Sequence, residues 1–200
     1  MIKMVKGCQV PFPEKLQEQY EFLSDNCLIA NIGADKIGEV MRQFIRTHEE
    51  PLFFILELPT NKEDEEKLAS DGIRTLHKDV YYMDGCSCEK AEDMLSAYGE
   101  LLIHDGLCQF GFGGHISHDE IMAGKYNVVT LYSRTADTLT PILESHGLTR
   151  VNGLLTAWDT FTRETPGECF KYEADDGRDV YSIIEELKSQ GLFFAERRRD

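Results

Sequence analysis

The chain has 200 residues, 42% hydrophobic and 28% charged, which excludes a disordered tail, a collagen-like rod and a solenoid array and fits one globular domain with its own core. Its 36 acidic and 21 basic side chains leave a formal charge of -15. A nucleic-acid backbone or an anionic membrane surface meets a repulsive field there, and a basic protein surface an attractive one.

Met1 to Gly7 holds no apolar stretch of signal-peptide length, and the longest strongly apolar run, Leu52 to Leu56, is far too short to cross a bilayer. The expectation is a cytoplasmic protein. Pro13 suits an early helical position, and Leu16, Tyr20 and Leu23 then share one face of a helix ending near Asn26. From Gly33, the residues Ile37, Val40, Met41, Phe44 and Ile45 repeat at i, i+3, i+4, i+7 and i+8, which predicts an amphipathic helix stopped before Pro51. Leu52 to Leu56, bounded by Pro51 and Pro59, reads as a buried strand. Asn61 to Lys67 is polar on every side and reads as an exposed loop or a solvated helix turn.

Asp79 to Met83 predicts a strand ending at Asp84-Gly85, followed by a long helix whose stripe is Ala91, Met94, Leu95, Tyr98, Leu101 and Leu102. Leu107 to Phe112 reads as a strand broken by Gly113-Gly114, and Asn127 to Tyr132 as the next one. Thr135 caps a helix carrying Leu139, Ile142 and Leu143 and closed by Gly147. Leu154 to Phe161 reads as a strand, Cys169 to Glu173 as a further one, and Val180, Ile183, Ile184 and Leu187 mark a terminal helix stopped at Gly191. Arg197-Arg198-Arg199 reads as a frayed, solubilising end. The sum is a single α+β domain over residues 1–200: a helical N-terminal part over 1–50, then a mixed or largely antiparallel sheet with helices packed mainly on one face.

Six cysteines (Cys8, Cys27, Cys86, Cys88, Cys108 and Cys169) in a chain of this length without an export signal are expected as thiols, mostly small core residues. Cys86 and Cys88 are spaced C-x-C, which is neither a redox motif nor a zinc knuckle. The densest polar cluster is His104, His115, His118, Asp119 and Glu120. Those side chains are ones that zinc or iron takes, and they could serve a metal-dependent hydrolase with Asp119 or Glu120 as ligand or general base. The spacing lacks the H-E-x-x-H order. The ordinary reading, and the preferred one, puts His104 at a helix end against its dipole and His115 and His118 in solvent. Phe110 to Gly114 lacks a Walker lysine, and no serine sits in a nucleophile elbow.

Trp158, the one tryptophan, lies beside Asp159 and is read either as an exposed interface anchor or, preferred on the usual burial of tryptophan, as core filler. Glu63, Asp64, Glu65 and Glu66, with Glu89, Glu92 and Asp93 on the long helix, are acidic faces that could meet a basic partner.

Phe110-Gly111-Phe112-Gly113, Asp119 to Met122, Lys125 to Val129 and Leu155 to Phe161 together resemble a group of small acidic bacterial cytosolic proteins of the kind that act as immunity proteins in polymorphic toxin systems. The resemblance covers about the C-terminal half. It implies an inhibitor that binds a basic protein such as a toxin domain, without chemistry of its own and without a cofactor; it assigns no catalytic residue.

Overall fold

The computed structural model describes residues 2–68 and 76–199. In chain order the elements are β1 (Cys8–Gln9), β2 (Gln19–Ser24), β3 (Cys27–Asn31), α1 (Ala34–Thr47), β4 (Leu52–Pro59), α2 (Lys62–Leu68), β5 (His77–Cys86), α3 (Cys88–His104), β6 (Gln109–Gly114), β7 (Glu120–Ala123), β8 (Val128–Tyr132), α4 (Thr140–Ser145), β9 (Thr149–Arg150), β10 (Glu168–Cys169), α5 (Val180–Lys188) and β11 (Phe193–Arg199). Among the described residues nine strands form one sheet in the order β11-β5-β4-β6-β7-β8-β3-β2-β9, antiparallel except where β9 joins β2, and β1 pairs with β10 as a separate ribbon. The α+β class, with a largely antiparallel sheet, is as expected.

Alternation along the central strands assigns the two faces. Leu52, Phe54, Leu56 and Leu58 of β4 and Phe110 and Phe112 of β6 point into the core shared with the stripes of α1, α3 and α5. α1 packs on α3 and on β6 and β7, and α3 on β4 and α5, which makes a helical layer over that face. α2 buries nothing. On the opposite face Phe53, Ile55 and Glu57 stand across from Gly113, Gly111 and Gln109. The glycines are there for space: a Cβ on Gly113 would lie 2.1 Å from the Phe53 ring, and one on Gly111 would lie 2.1 Å from the Ile121 carbonyl oxygen.

The structure corrects several expectations. Residues 13–26 are not a helix but a 3₁₀ turn, Pro13–Lys15, followed by β2 and the Asp25-Asn26 connection into β3. Tyr20 is buried and Leu23 is 57% exposed, so the supposed helical stripe does not exist; Tyr20 and Phe22 share a face with period two. Residues 1–50 therefore supply two strands of the main sheet as well as α1. Gly113-Gly114 does not break β6, and β7, unforeseen, follows the 115–119 turn. β5 runs past Asp84-Gly85 to Cys86 because Gly85, at φ +67°, takes up a register shift between the pairs Leu52–Cys86 and Phe54–Met83. Thr135 makes no side-chain cap; a 3₁₀ turn, Ala136–Leu139, leads into the short α4.

Leu154–Phe161 is no strand either, but holds a 3₁₀ turn, Ala157–Thr160. The arginines at the C-terminal end are not frayed. They lie in β11, where Arg197 bonds both carboxylate oxygens of Asp79 (2.5 and 2.9 Å) and Arg198 reaches Glu57. Asp79 and Glu57 are both buried, and Lys78 also reaches Glu57 at 2.5 Å, so the basic run neutralises carboxylates inside the sheet.

Candidate functional site

The turn at Trp158 is built by its own sequence. Thr156 is the N-cap of Ala157–Thr160, and the Asp159 carboxylate accepts from the Thr156 N–H (2.8 Å) and hydroxyl (2.7 Å), closing a reciprocal capping box. Those bonds from Thr156 hold the Asp159 carboxyl below its ordinary range, so it is ionised at neutral pH. Ala157 and Thr160 turn inward, leaving Trp158 and Asp159 outside. The preceding backbone is fastened as well: the Glu21 carboxylate accepts from the Leu154 N–H, and the buried Asn31 amide donates to the Leu155 carbonyl at 2.8 Å.

The indole does not fill the core, contrary to the preferred reading. It is 52% exposed, and Leu155, three residues earlier, is 40% exposed. Its inner edge meets Tyr126 edge-on (centroids 4.7 Å, 88°) and Phe161 (5.5 Å, 64°), and Tyr126 also meets Phe161 at 4.9 Å. Tyr126 in turn is fixed by backbone geometry, since it and Asn127 both have left-handed φ values (59° and 64°). The buried Asn127 side chain secures this turn by accepting from the Val5 N–H and donating to the carbonyls of Lys3 and Ile32. A large aromatic side chain is thus held rigidly with one face in solvent.

A cleft of about 430 Å³ lies elsewhere, between the C-terminal end of α1, the 115–119 turn and the segment around α4. Gln43, Thr47, His48, Ile116, Asp119 and Leu139 are among its lining residues. His48 Nε2 stands 3.0 Å from Asp119 Oδ2, while its Nδ1 stands 2.6 Å from the Phe44 carbonyl oxygen and its ring stacks on Phe44 at 3.9 Å. Both ring nitrogens face oxygen acceptors. The His48–Asp119 pair went unforeseen, although one signal existed: His48 continues the Met41, Phe44 spacing of the α1 stripe and so falls on its buried side.

The five residues of the metal reading do not converge. His104 ends α3 and His115 follows the last residue of β6, so the two lie at opposite ends of that strand, roughly 20 Å apart at ~3.4 Å per residue. His104 Nδ1 accepts from the Lys6 N–H, and burial followed by the Lys6 charge pushes its imidazole below the usual range. His104 thus ends the helix as expected, with its protonated form disfavoured there. His115 lies on Phe53 and 3.2 Å from Asp84, His118 is exposed, Asp119 is held by His48, and burial raises the Glu120 carboxyl. Among the described residues no group of three His, Cys, Asp or Glu side chains could hold a metal ion.

The acidic residues expected to meet a partner also divide. On α2, Glu63 pairs with Lys67, Asp64 with Arg197, Glu65 with His77 and Glu66 with Lys62. On α3, Glu92 holds Arg46 through two bonds of 2.8 and 2.9 Å, while Glu89 and Asp93 are exposed beside a shallow depression. The named residues thus fall in three places, Glu63 to Glu66 on α2, Glu89, Glu92 and Asp93 on α3, and Trp158 with Asp159 on the 157–160 turn. Comparison with family models finds no match, nor does comparison with curated proteins or with solved structures. Among the described residues no helix is long and apolar enough to cross a membrane.

Proposed function

We propose that this chain is a cytoplasmic binding protein that engages a basic protein partner without catalysing a reaction on it, with Trp158 at the centre of the contact. The observation that carries this reading is the half-exposed indole on a turn fastened by its capping box. Tryptophan is the residue type that most often dominates binding energy, and a side chain already immobilised loses little entropy on docking. Around it in sequence, Asp159, Glu164 and Glu168 are exposed acids, and the net charge of -15 favours encounter with a cationic surface. The resemblance to immunity proteins supports the same reading and suggests inhibition of a toxin domain as its biological form.

The reading is tested on the co-purifying partner by titration calorimetry. Trp158→Ala should weaken the complex by about 30-fold or more, as a hot-spot loss of about 2 kcal/mol requires. Raising the salt concentration should weaken it further. Affinity unchanged by Trp158→Ala contradicts the anchor, and affinity indifferent to ionic strength contradicts the electrostatic part.

A further inference from the structure

The two-stranded ribbon joins the N-terminal segment to residues 168–169 and places two thiols face to face. Cys8 of β1 and Cys169 of β10 are direct cross-strand partners, with their sulfurs 3.7 Å apart. The Phe170 N–H donates to the Gly7 carbonyl at 2.7 Å, one residue outside the pair, so Cys8 and Cys169 form a non-hydrogen-bonded pair of an antiparallel ladder. In such a pair the Cα atoms stand about 4.5 Å apart, inside the range that a disulfide spans. The Gly7–Phe170 position beside the pair is pinned to the 104–106 segment by bonds from the Gly7 N–H to the His104 carbonyl (2.8 Å) and from the Gly106 N–H to the Phe170 carbonyl (2.9 Å). Closing the sulfurs to about 2.0 Å needs side-chain rotation, with the strands left where they are.

We propose that Cys8 and Cys169 are a redox couple in which Cys169 reacts with a hydroperoxide and Cys8 resolves the product as a disulfide. The roles follow from the surroundings. Cys8 is the more buried thiol, whereas Cys169 is partly exposed. The neighbouring Cys8 thiol, a hydrogen bond from the Tyr126 hydroxyl and the charge of Lys125 together lower the Cys169 thiol below the ordinary thiol range against the effect of burial. The Cys169 thiolate attacks one peroxide oxygen and the O–O bond breaks. Sulfenic acid forms on Cys169, and the departing hydroxide takes up a proton as water. Cys8 then attacks the Cys169 sulfur; the S–S bond forms, and the Cys8 proton leaves with the sulfenic hydroxyl as a second water. Two thiols and one hydrogen peroxide yield one disulfide and two waters. Tyr126 links the couple to the surface, because its hydroxyl bonds Cys169 and its ring supports Trp158.

The readouts need no binding partner, so this inference and the binding reading fail separately. The intact protein at pH 7 is titrated with hydrogen peroxide while free thiols, intact mass and Trp158 emission are followed. Six free thiols should fall to four with the loss of two hydrogens, peptide mapping should join Cys8 to Cys169, and emission should change in step. Cys8→Ser should stop at a sulfenic acid trapped by dimedone, and Cys169→Ser should abolish both products. Six thiols persisting after oxidant, a linkage joining any other pair, or a Cys169→Ser variant that still forms the sulfenic acid would overturn it. The wild-type mapping decides the matter even if a variant folds poorly.

Discussion

Replacing His48 by alanine removes the side chain that, among the described residues, faces the Asp119 carboxyl group. The side chains of His48 and Asp119 are only 6% and 13% exposed, which makes this a hydrogen bond to a largely buried carboxyl group, and among the described residues Asp119 has no other side-chain partner at that oxygen. Truncating one partner of a buried pair costs about 3–5 kcal/mol, most of it from the carboxylate left behind, against about 0–1 kcal/mol for a pair in solvent. In a domain of this size that is a fall in Tm of roughly 6–20 °C. Asp119→Asn keeps an oxygen in place for Nε2–H and should cost about 1–2 kcal/mol. Urea unfolding of wild type, both single variants and the double variant completes a cycle. The pair predicts a coupling above about 1 kcal/mol, because the double variant leaves no unpaired charge. A His48→Ala cost below about 1 kcal/mol, or costs that simply add, would refute the reading of this contact as a buried, coupled pair.

Gly111→Ala should destabilise by about 1–3 kcal/mol in the same assay, because the new Cβ meets the Ile121 carbonyl of the neighbouring strand, which a side-chain rotation cannot clear. Arg197→Ala should cost about 3 kcal/mol, since among the described residues the buried Asp79 side chain would keep only its bond from Thr60; a loss under about 0.5 kcal/mol would restore the view of residues 197–199 as a frayed end. Trp158 emission reports on Asp159. Its folded carboxyl lies below the ordinary 3.8, so its contribution to the turn is complete above that pH and is lost as pH falls through the lower folded value. Wild type should show an emission change in that acid window that Asp159→Asn lacks.

The long elements were legible because burial on one side writes a period into the sequence. α1, α3 and α5 carry complete helical stripes, and β4 is an apolar run between two prolines. β2 was hidden because Leu16, Tyr20 and Leu23 fit a helical spacing by chance, and β7 has only four residues to show alternation. β11 was hidden by its chemistry. It is an edge strand whose arginines serve the carboxylates of β4 and β5, and an edge rich in charge looks like a solvated tail until its neighbours are known. The same limit governs the sites. Trp158 could be named from sequence but not placed, since its exposure depends on Tyr126 and on a turn that was read as a strand. The Cys8–Cys169 pair spans 161 residues, and His48 and Asp119 lie 71 apart, so neither leaves a local motif.

The proposed binding role is most directly tested by native mass spectrometry of the protein isolated gently from its own cells, wild type beside Trp158→Ala. The account predicts a discrete complex of the wild type with one basic protein and its absence from the variant, with both chains folded. The same complex in both samples, or a wild-type chain carrying a small molecule or metal and no protein partner, would contradict it.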